Sequence, residues 1–170
     1  MNKFKNKGFT IVELIVVIAI IAILATIIIT SVNQFQAKAR DAKRIADMSQ
    51  VMKALEIYRS ENSQYPDTDN DDCGGWDVGN RDYLFLNGRL PNIMPTPPRD
   101  PTATGNCSGY FYYRYPAGYA NCDASKGAFY VLAISNLETV NGASPTSPGW
   151  RCPDRNWQNE FEWVTGKFEK

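Results

Sequence analysis

The stretch KGFTIVELIVVIAIIAILATIIITSVN, residues 7–33, decides how this chain folds. No charged residue occurs between residues 14 and 37, and the apolar part from Leu14 to Val32 is unbroken enough to predict one helix. At about 1.5 Å per residue that part spans roughly 28 Å, which crosses the hydrocarbon core of a bilayer with little tilt. Three lysines precede it within the first seven residues, and they predict a cytoplasmic N-terminus.

A single carboxylate, Glu13, lies at the start of this apolar stretch. Placing a carboxylate there costs on the order of 2.5–3.5 kcal/mol, so such a residue usually has a partner and a function. The lysines of the N-terminal run are the only cations of the chain within its reach. If the chain is cut after Gly8, the α-amine of Phe9 becomes a cation with an ordinary pKa of about 8. We predict that this amine pairs with Glu13 of a neighbouring copy and sets the stagger between adjacent helices.

Three interpretations of this N-terminus compete. A secretory signal peptide would be followed by a cleavage site flanked by small residues, which does not follow here, and would have a shorter apolar region. A plain single-span anchor leaves Gly8 and Glu13 without a role. A leader that is cut after Gly8 gives both residues a role. For Glu13 alone, the alternative is a carboxylate that rests at the headgroup level and does nothing.

The helix is predicted to continue beyond the membrane as an amphipathic segment. Apolar and small residues recur at three- and four-residue steps as far as Tyr58, which is the period of a helix with one buried face. Tyr65-Pro66 predicts an end near Asn62–Ser63, because the residue before a proline avoids helical geometry. One helix of roughly 80 Å is longer than a compact domain of this size needs, whereas a filament with a helical core needs it. The predicted stripe contains Ala42, Ile45, Ser49, Val51, Met52, Leu55 or Glu56, and Tyr58.

Four basic residues lie where the helix would leave the membrane: Lys38, Arg40, Lys43 and Arg44. Such a cluster is compatible with binding to phosphates of DNA or lipid. Two aspartates interrupt it, which favours a solvated rim whose long side chains reach water. The chain as a whole has a formal net charge of zero, so no basic field favours nucleic acid as a partner.

The remainder of the chain predicts a small antiparallel sheet. Residues 66–109 are rich in Pro, Gly, Asp and Asn and indicate a long ordered loop with one short helix near Asp82–Leu86. Aromatic and β-branched runs predict strands over 110–115, 128–134 and 161–165. The sheet should bury Met52, Leu55 and Tyr58 of the helix, and the abundant tyrosines and tryptophans should fill a thin core.

The predicted fold class is therefore α+β, with a long N-terminal helix, transmembrane and then amphipathic, packed on a small sheet-bearing head. We divide the chain into a leader, residues 1–8, a transmembrane or assembly helix, 9–35, its amphipathic continuation, 36–64, and a globular head, 65–170.

Four cysteines follow the apolar segment, and no two of them form a C-x-x-C pair: Cys73, Cys107, Cys122 and Cys152. An even set on the exported side of a membrane predicts two disulfides, with four buried thiols as the alternative. Three pairings are open, and the sequence does not choose among them.

Asp67, Asp69 and Asp71 alternate like the first ligands of a calcium loop. The sixth position is Asp72 instead of glycine and the twelfth is Val78 instead of glutamate, which favours a solvated acidic turn. Calcium stays the alternative, and no other cofactor is expected. The chain has no histidine, and no nucleophile–base pair or phosphate loop is visible, so we expect no enzyme.

Residues 7–14, Lys-Gly-Phe-Thr-Ile-Val-Glu-Leu, resemble the N-terminal motif of type IV pilins and type II secretion pseudopilins. The resemblance implies cleavage after Gly8 by a prepilin peptidase, N-methylation of Phe9, and pairing of Glu13 with a neighbour's terminal amine. It also implies an inner-membrane assembly platform as a partner. The run Pro98-Arg99-Asp100-Pro101 before a tyrosine-rich strand is similar to major pseudopilins in particular. These typically bind calcium after the second strand, but residues 135–139 lack the acidic pair, so that site is not transferred.

The function expected is that of a structural filament subunit, a homo-oligomer in a type IV pilus, a secretion pseudopilus or a competence pilus. Before assembly it would lie in lipid in the bacterial inner membrane, as a single pass with the head extracytoplasmic. Two alternatives remain open at this point: a monomeric single-span protein with an extracytoplasmic binding head, and a competence-type minor pilin that takes part in DNA uptake.

Overall fold

One helix, α1, runs from Ile11 to Asn62, and it dominates the N-terminal part of the computed structural model. The structure describes residues 8–68 and 73–170, without the side chains of residues 26–31. The helix ends where Ser63 adopts a φ of 61° and donates its N–H to the carbonyl of Arg59. A left-handed residue just after the last turn is a common helix stop. The predicted end near Asn62–Ser63 is therefore confirmed.

The chain divides into two units, residues 1–38 and 39–170. In the first unit, the large apolar side chains from Phe9 to Leu24 are between 48% and 89% exposed. If only the described residues are counted, no helix has the length and apolar character that a bilayer crossing requires. The predicted membrane segment 9–35 includes residues 26–31, whose side chains lie outside the description. Most of the predicted leader, residues 1–7, also lies outside it.

The second unit contains a four-stranded antiparallel sheet and a small separate ribbon. The sheet has the order β1-β2-β3-β6, and β4 pairs with β5 in the ribbon. The strands are β1 (Asp77–Gly79), β2 (Tyr110–Tyr115), β3 (Phe129–Ile134), β4 (Arg151–Cys152), β5 (Arg155–Asn156) and β6 (Trp163–Phe168).

Two of the three predicted strands are found almost as predicted, and the third is displaced. β6 runs from Trp163 to Phe168 because all six of its residues pair with β3, from Ile134 opposite Trp163 to Phe129 opposite Phe168. Gly166 lowers the strand propensity there, yet a Cβ at that position would lie 2.4 Å from the indole of Trp150. Tertiary packing therefore requires a glycine that local propensity disfavours.

The predicted short helix near Asp82–Leu86 is wrong, because side chains bind the backbone donors of this segment. Asn80 Oδ1 accepts hydrogen bonds from the N–H groups of Asp82 and Tyr83, at 2.8 and 3.1 Å. Asp77 Oδ1 accepts one from the N–H of Leu86, at 3.0 Å. Asn and Asp side chains compete in this way with helical hydrogen bonds and favour turns.

Both faces of the sheet are covered, since all six residues of β3 are buried. Alternate side chains of a strand point to opposite faces, so Leu132 faces the core formed with α1 while Val131 faces a second core. The first core contains Met48, Val51 and Leu55 of α1, whereas Met52 and Tyr58 are only partly buried. Buried tyrosines and tryptophans confirm the prediction that these side chains fill the interior: Tyr65, Trp76, Tyr110, Tyr112, Tyr115, Tyr130, Trp157 and Trp163.

The two predicted disulfides are present, and the structure decides their pairing. Cys73 pairs with Cys107, and Cys122 pairs with Cys152, each with a Cα–Cα distance of 5.0 Å. The Cys122–Cys152 disulfide belongs to the second core and ties the C-terminal segment to the chain between β2 and β3. Closing loops of this length stabilises a fold by about 2–4 kcal/mol per disulfide.

Candidate assembly site

The predicted assembly residues lie at the N-terminal end of α1. Thr10 precedes the helix, and its Oγ1 accepts a hydrogen bond from the N–H of Glu13 at 3.2 Å. In return, Oε2 of Glu13 accepts hydrogen bonds from the N–H and the hydroxyl of Thr10, both at 2.8 Å. This reciprocal pair is a capping box, which satisfies two backbone donors at the helix start. Our sequence analysis missed it, although the spacing Thr-x-x-Glu carries the signal.

Because of the capping box, Glu13 already has a partner within its own chain, namely Thr10. Oε2 makes both bonds to Thr10, whereas Oε1 has no hydrogen bond to any residue described in the structure. A carboxylate oxygen can accept two hydrogen bonds, so the side chain keeps capacity for a cation. The box therefore holds the carboxylate in one orientation at the helix start and leaves one oxygen available.

Gly8 and Phe9 form an open segment in front of this box. The side chain of Phe9 is 89% exposed, and no described atom lies within 4 Å of the place that a Cβ of Gly8 would take. The peptide bond between them is thus accessible in the isolated subunit. These positions agree with a processing site but do not test it.

In the second unit, the basic segment predicted as a solvated rim contains a fully buried arginine. Arg44 has 0% exposure. Its Nε and Nη2 donate to the two carboxylate oxygens of Asp100 at 2.7 and 3.1 Å. Its Nη1 donates to Asp41 and to Glu138, both at 2.7 Å, and Nη2 also donates to the hydroxyl of Thr102. The prediction of a solvated side chain is therefore wrong for Arg44.

The predicted apolar stripe of α1 is also wrong in its first residue. Ala42 is exposed, whereas Asp41 before it and Asp47 further along the helix are buried. Asp47 accepts hydrogen bonds from the hydroxyl of Tyr110 at 2.7 Å and from Lys43 at 2.6 Å. The face of α1 that packs on the head therefore begins with paired charges, which a search for apolar periodicity does not find.

Asp41 connects α1 to the loop that follows β3. Its carboxylate accepts hydrogen bonds from the N–H groups of Glu138 and Thr139, at 3.0 and 2.8 Å, and from the Thr139 hydroxyl. Glu138 returns toward the helix and accepts from Nε of Arg40 at 2.8 Å. We call this group of ion pairs the Arg44 network: Arg40, Asp41, Arg44, Asp100 and Glu138.

The network shifts the pKa values of Glu138 and Arg44 in the directions that keep both groups charged. Hydrogen bonds from Arg40, together with those from Arg44, lower the pKa of Glu138 to about 2 in spite of its partial burial. Burial alone would lower the pKa of Arg44, but the hydrogen bonds to Asp100, Glu138 and Asp41 raise it above the ordinary value. Each buried charge of the Arg44 network therefore lies beside a charge of opposite sign.

These pairings remove most of the cations that a phosphate-binding patch would use. Arg40, Lys43 and Arg44 all pair with carboxylates of the same unit. Within the described part of the chain, only Lys38 of the cluster has no ion pair. Arg40 and Arg44 therefore connect α1 to the loops that carry Glu138 and Asp100.

The candidate calcium ligands are only partly described. Asp67 pairs with Nη1 of Arg114 at 2.7 Å, with its side chain 66% exposed. Asp69 and Asp71 lie outside the described residues. Among the residues that the structure describes, no three or more potential ligands are grouped around one point. The solvated acidic turn stays the prediction for this run, with calcium as its alternative.

The chain is similar to known proteins both in its N-terminal motif and along almost its whole length. Residues 3–29 match the family described as the prokaryotic N-terminal methylation motif. The chain is 35% identical over 181 residues to the type IV major pilin protein PilA of Myxococcus xanthus, covering 97% of this chain and 81% of that protein.

Shorter matches come from secretion systems. The type II secretion system core protein G of Aeromonas hydrophila is 35% identical over 69 residues, which is 41% of this chain and 48% of that protein. The protein of the same name from Vibrio cholerae is 37% identical over 65 residues, with 38% and 44% covered. The chain thus spans about half the length of these secretion relatives. No solved structure matches the chain.

Replacing Arg44 with Met should destabilise the head strongly. The substitution leaves the buried carboxylate of Asp100 without its cation, which costs about 3–5 kcal/mol of the free energy of unfolding. Denaturant unfolding of the detergent-extracted full chain, followed by tryptophan fluorescence, measures this loss. Lys43→Met is the control, because the Lys43 side chain is 54% exposed and its ion pair should contribute within about 1 kcal/mol. Equal losses from the two variants would contradict the assignment.

Stability should fall in acid because of Glu138. Its pKa is 4.5 ordinarily and about 2 in the folded chain, so its pairing stabilises the fold fully above pH 4.5, and this stabilisation is lost as the pH falls toward 2. The variant Glu138→Gln should be less stable at pH 7 and should lose less stability between pH 5 and 2. The measurement is the denaturant midpoint as a function of pH. Parallel curves for the two proteins would show that Glu138 is not the group responsible.

Proposed function

The chain belongs to the type IV pilin family and is a structural subunit of a filament, and from this premise we propose that it builds a type IV pilus as its major subunit. One observation carries the choice of filament: the match to a major pilin covers 97% of this chain, head included, and 81% of the relative. The matches to secretion core proteins cover only 41% and 38% of the chain. The proposed role is mechanical, since a filament subunit acts through its contacts.

A type II secretion pseudopilus is the second candidate, because relatives from Aeromonas hydrophila and Vibrio cholerae carry that name. Deleting the gene should separate the two. If the chain is the major pilin, deletion should remove surface filaments that an antibody against the head labels, and export of secreted proteins should continue at the normal rate. Normal surface filaments together with a loss of export would overturn the pilus in favour of the pseudopilus.

The proposed path to the filament begins in the inner membrane. The precursor would lie there with its N-terminus cytoplasmic and its head extracytoplasmic, and a prepilin peptidase would cut between Gly8 and Phe9 and methylate the new amine. The methylation-motif match over residues 3–29 and the exposed Gly8–Phe9 segment support this order. An assembly platform would then extract the subunit. On this proposal the segments are the leader 1–8, the assembly helix 9–35, its amphipathic continuation 36–64 and the head 65–170.

The capping box gives Glu13 a role both before and during assembly. In the isolated subunit Oε2 is bound by Thr10 and Oε1 has no partner among the described residues. We assign Oε1 to the α-amine of Phe9 from a neighbouring copy, so that the ion pair forms without breaking the box. Thr10 is then a positioning residue, because it fixes the direction in which the carboxylate points. Packing of the exposed side chains from Phe9 to Leu24 against neighbouring helices would replace their contact with lipid.

Two substitutions at Glu13 should separate its charge from its capping role. Glu13→Ala removes both functions, whereas Glu13→Gln keeps an acceptor for the capping box and loses the charge. We expect both variants to be cut to a Phe9 terminus, as intact mass would show, and both to yield at least tenfold fewer sheared filaments. Thr10→Val keeps the charge and should reduce the yield less.

The matched control for these variants is Glu61→Ala, which removes an exposed carboxylate at the other end of α1 and should assemble normally. Normal filament yield from Glu13→Gln would assign the carboxylate to capping alone. Normal yield and symmetry from Glu13→Ala would remove it from assembly altogether.

A further inference from the structure

Two asparagines of the chain are followed directly by glycine, Asn87 by Gly88 and Asn141 by Gly142. Asparagine is a chemically labile residue, and a following glycine makes it more so because no side chain obstructs the glycine's own peptide nitrogen. All four residues are exposed. The dipeptides are identical, so a difference in their reactivity has to come from the fold around them.

The reaction in question is loss of the asparagine side-chain amide. The peptide nitrogen of the glycine gives up its proton and forms a bond to Cγ of the asparagine, and ammonia leaves with that proton. Water then opens the five-membered ring at one of its carbonyl carbons. The product is an aspartate in the normal chain or an isoaspartate, in which the chain continues through the side-chain carboxyl group. The net change consumes water, releases ammonia and creates a negative charge.

Asn87 and Gly88 lie in a turn that the fold holds closed. The N–H of Arg89 donates to the carbonyl of Leu86 at 3.1 Å, and Gly88 has a φ of 66° while the φ of Asn87 is not positive. These features define a type II turn, whose second residue has a ψ of about +120°. That angle turns the Gly88 nitrogen away from the Asn87 side chain. The turn is fixed on both sides, because Leu86 and Leu90 are buried in the first core.

Asn141 and Gly142 lie in a span without such a restraint. Among the residues that the structure describes, none of residues 140–143 donates or accepts a hydrogen bond. The backbone is held again only at Ser144, whose N–H donates to the carbonyl of Glu162 at 2.6 Å. Rotation about the Asn141 backbone therefore breaks no hydrogen bond when it brings the Gly142 nitrogen against Cγ.

Water has room beside this span. A pocket of about 120 Å³ is lined by Gly142 and Ala143 together with residues 158–162. Water occupies roughly 30 Å³ per molecule in the liquid, so the pocket is large enough for the water that opens the ring. Polar side chains in its lining, among them Gln158 and Asn159, offer hydrogen bonds to that water.

We propose that Asn141 is the deamidation site of the folded head and that the type II turn protects Asn87. An isoaspartate adds a backbone methylene, which an exposed span without hydrogen bonds accommodates. The same product at Asn87 would disturb the spacing of Leu86 and Leu90, both of which are buried. Each head that reacts gains a negative charge, so the charge of the subunit records its time in water. The inference does not depend on the proposed filament.

Peptide mapping of aged protein tests the proposal. The full chain, extracted in detergent with both disulfides formed, is kept in mildly alkaline buffer made with heavy-oxygen water and then digested with trypsin. Cleavage after Arg and Lys places the two sites on separate peptides, 82–89 and 127–151. We expect heavy oxygen in the new carboxyl group at Asn141. Asn87 should react about tenfold more slowly or less, because its turn has to open first.

The same chain, reduced and unfolded in urea, is the internal control, and its two sites should react at similar rates. The variant Asn141→Gln should remove the label from peptide 127–151 and leave the rate at Asn87 unchanged, since a glutamine closes the larger ring slowly. Fragment masses separate Asn141 from Asn136, which lies in the same peptide. Equal rates at Asn87 and Asn141 in the folded chain would overturn the proposal, and so would a folded chain that reacts at neither site.

The variant Asn141→Asp gives a second readout, because it carries the normal-chain product from the start. It should form both disulfides and unfold at the urea midpoint of the unmodified chain, since the span 140–143 contributes no hydrogen bond to any described residue. A clear fall in that midpoint would show that the fold does depend on the Asn141 amide, and the proposed tolerance of the site would be wrong.

Discussion

The head depends on the burial of one guanidinium against three carboxylates. Arg44 on α1 binds Asp100 from the loop before β2, Glu138 from the loop after β3, and Asp41 one turn earlier on its own helix. Removing these charges from water is costly, and such a network does not by itself make a protein more stable than an apolar core would. The network instead fixes the arrangement of these segments. The planar guanidinium of Arg44 has acceptors for its N–H groups only when α1 and both loops are in place. The apolar contacts of Met48, Val51 and Leu55 then supply most of the gain in free energy.

The two ends of α1 carry different chemistry for different tasks. In the head unit, its charged and apolar faces are covered by the same chain. In the first unit, apolar side chains are exposed and a capped carboxylate stands at the helix start. A surface of this kind gains free energy only against lipid or other helices. The exposed apolar side chains of the first unit agree with the proposed path, in which the subunit lies first in a membrane and then in a filament.

The C-terminal segment turns a thin head into a two-layered one. The sheet would otherwise expose the face of Phe111, Phe129 and Val131, but Trp157 and the Cys122–Cys152 disulfide cover it. Arg155 adds to this cover, with its guanidinium carbon 4.9 Å from the ring centre of Trp157. The sheet therefore has one core on each face, and the C-terminal segment supplies much of the second.

From the sequence alone it was possible to predict the end of the helix, the two central strands and the α+β class, because these follow from local periodicity and turn residues. Local patterns could not place Arg44, since its partners Asp100 and Glu138 lie 56 and 94 residues away along the chain. They also could not choose the disulfide pairing, extend β6 through Gly166, or bring Phe85 against Gly79 of β1. These features were decided by the tertiary structure, because burial and compensation of charge depend on which distant segments the fold brings together.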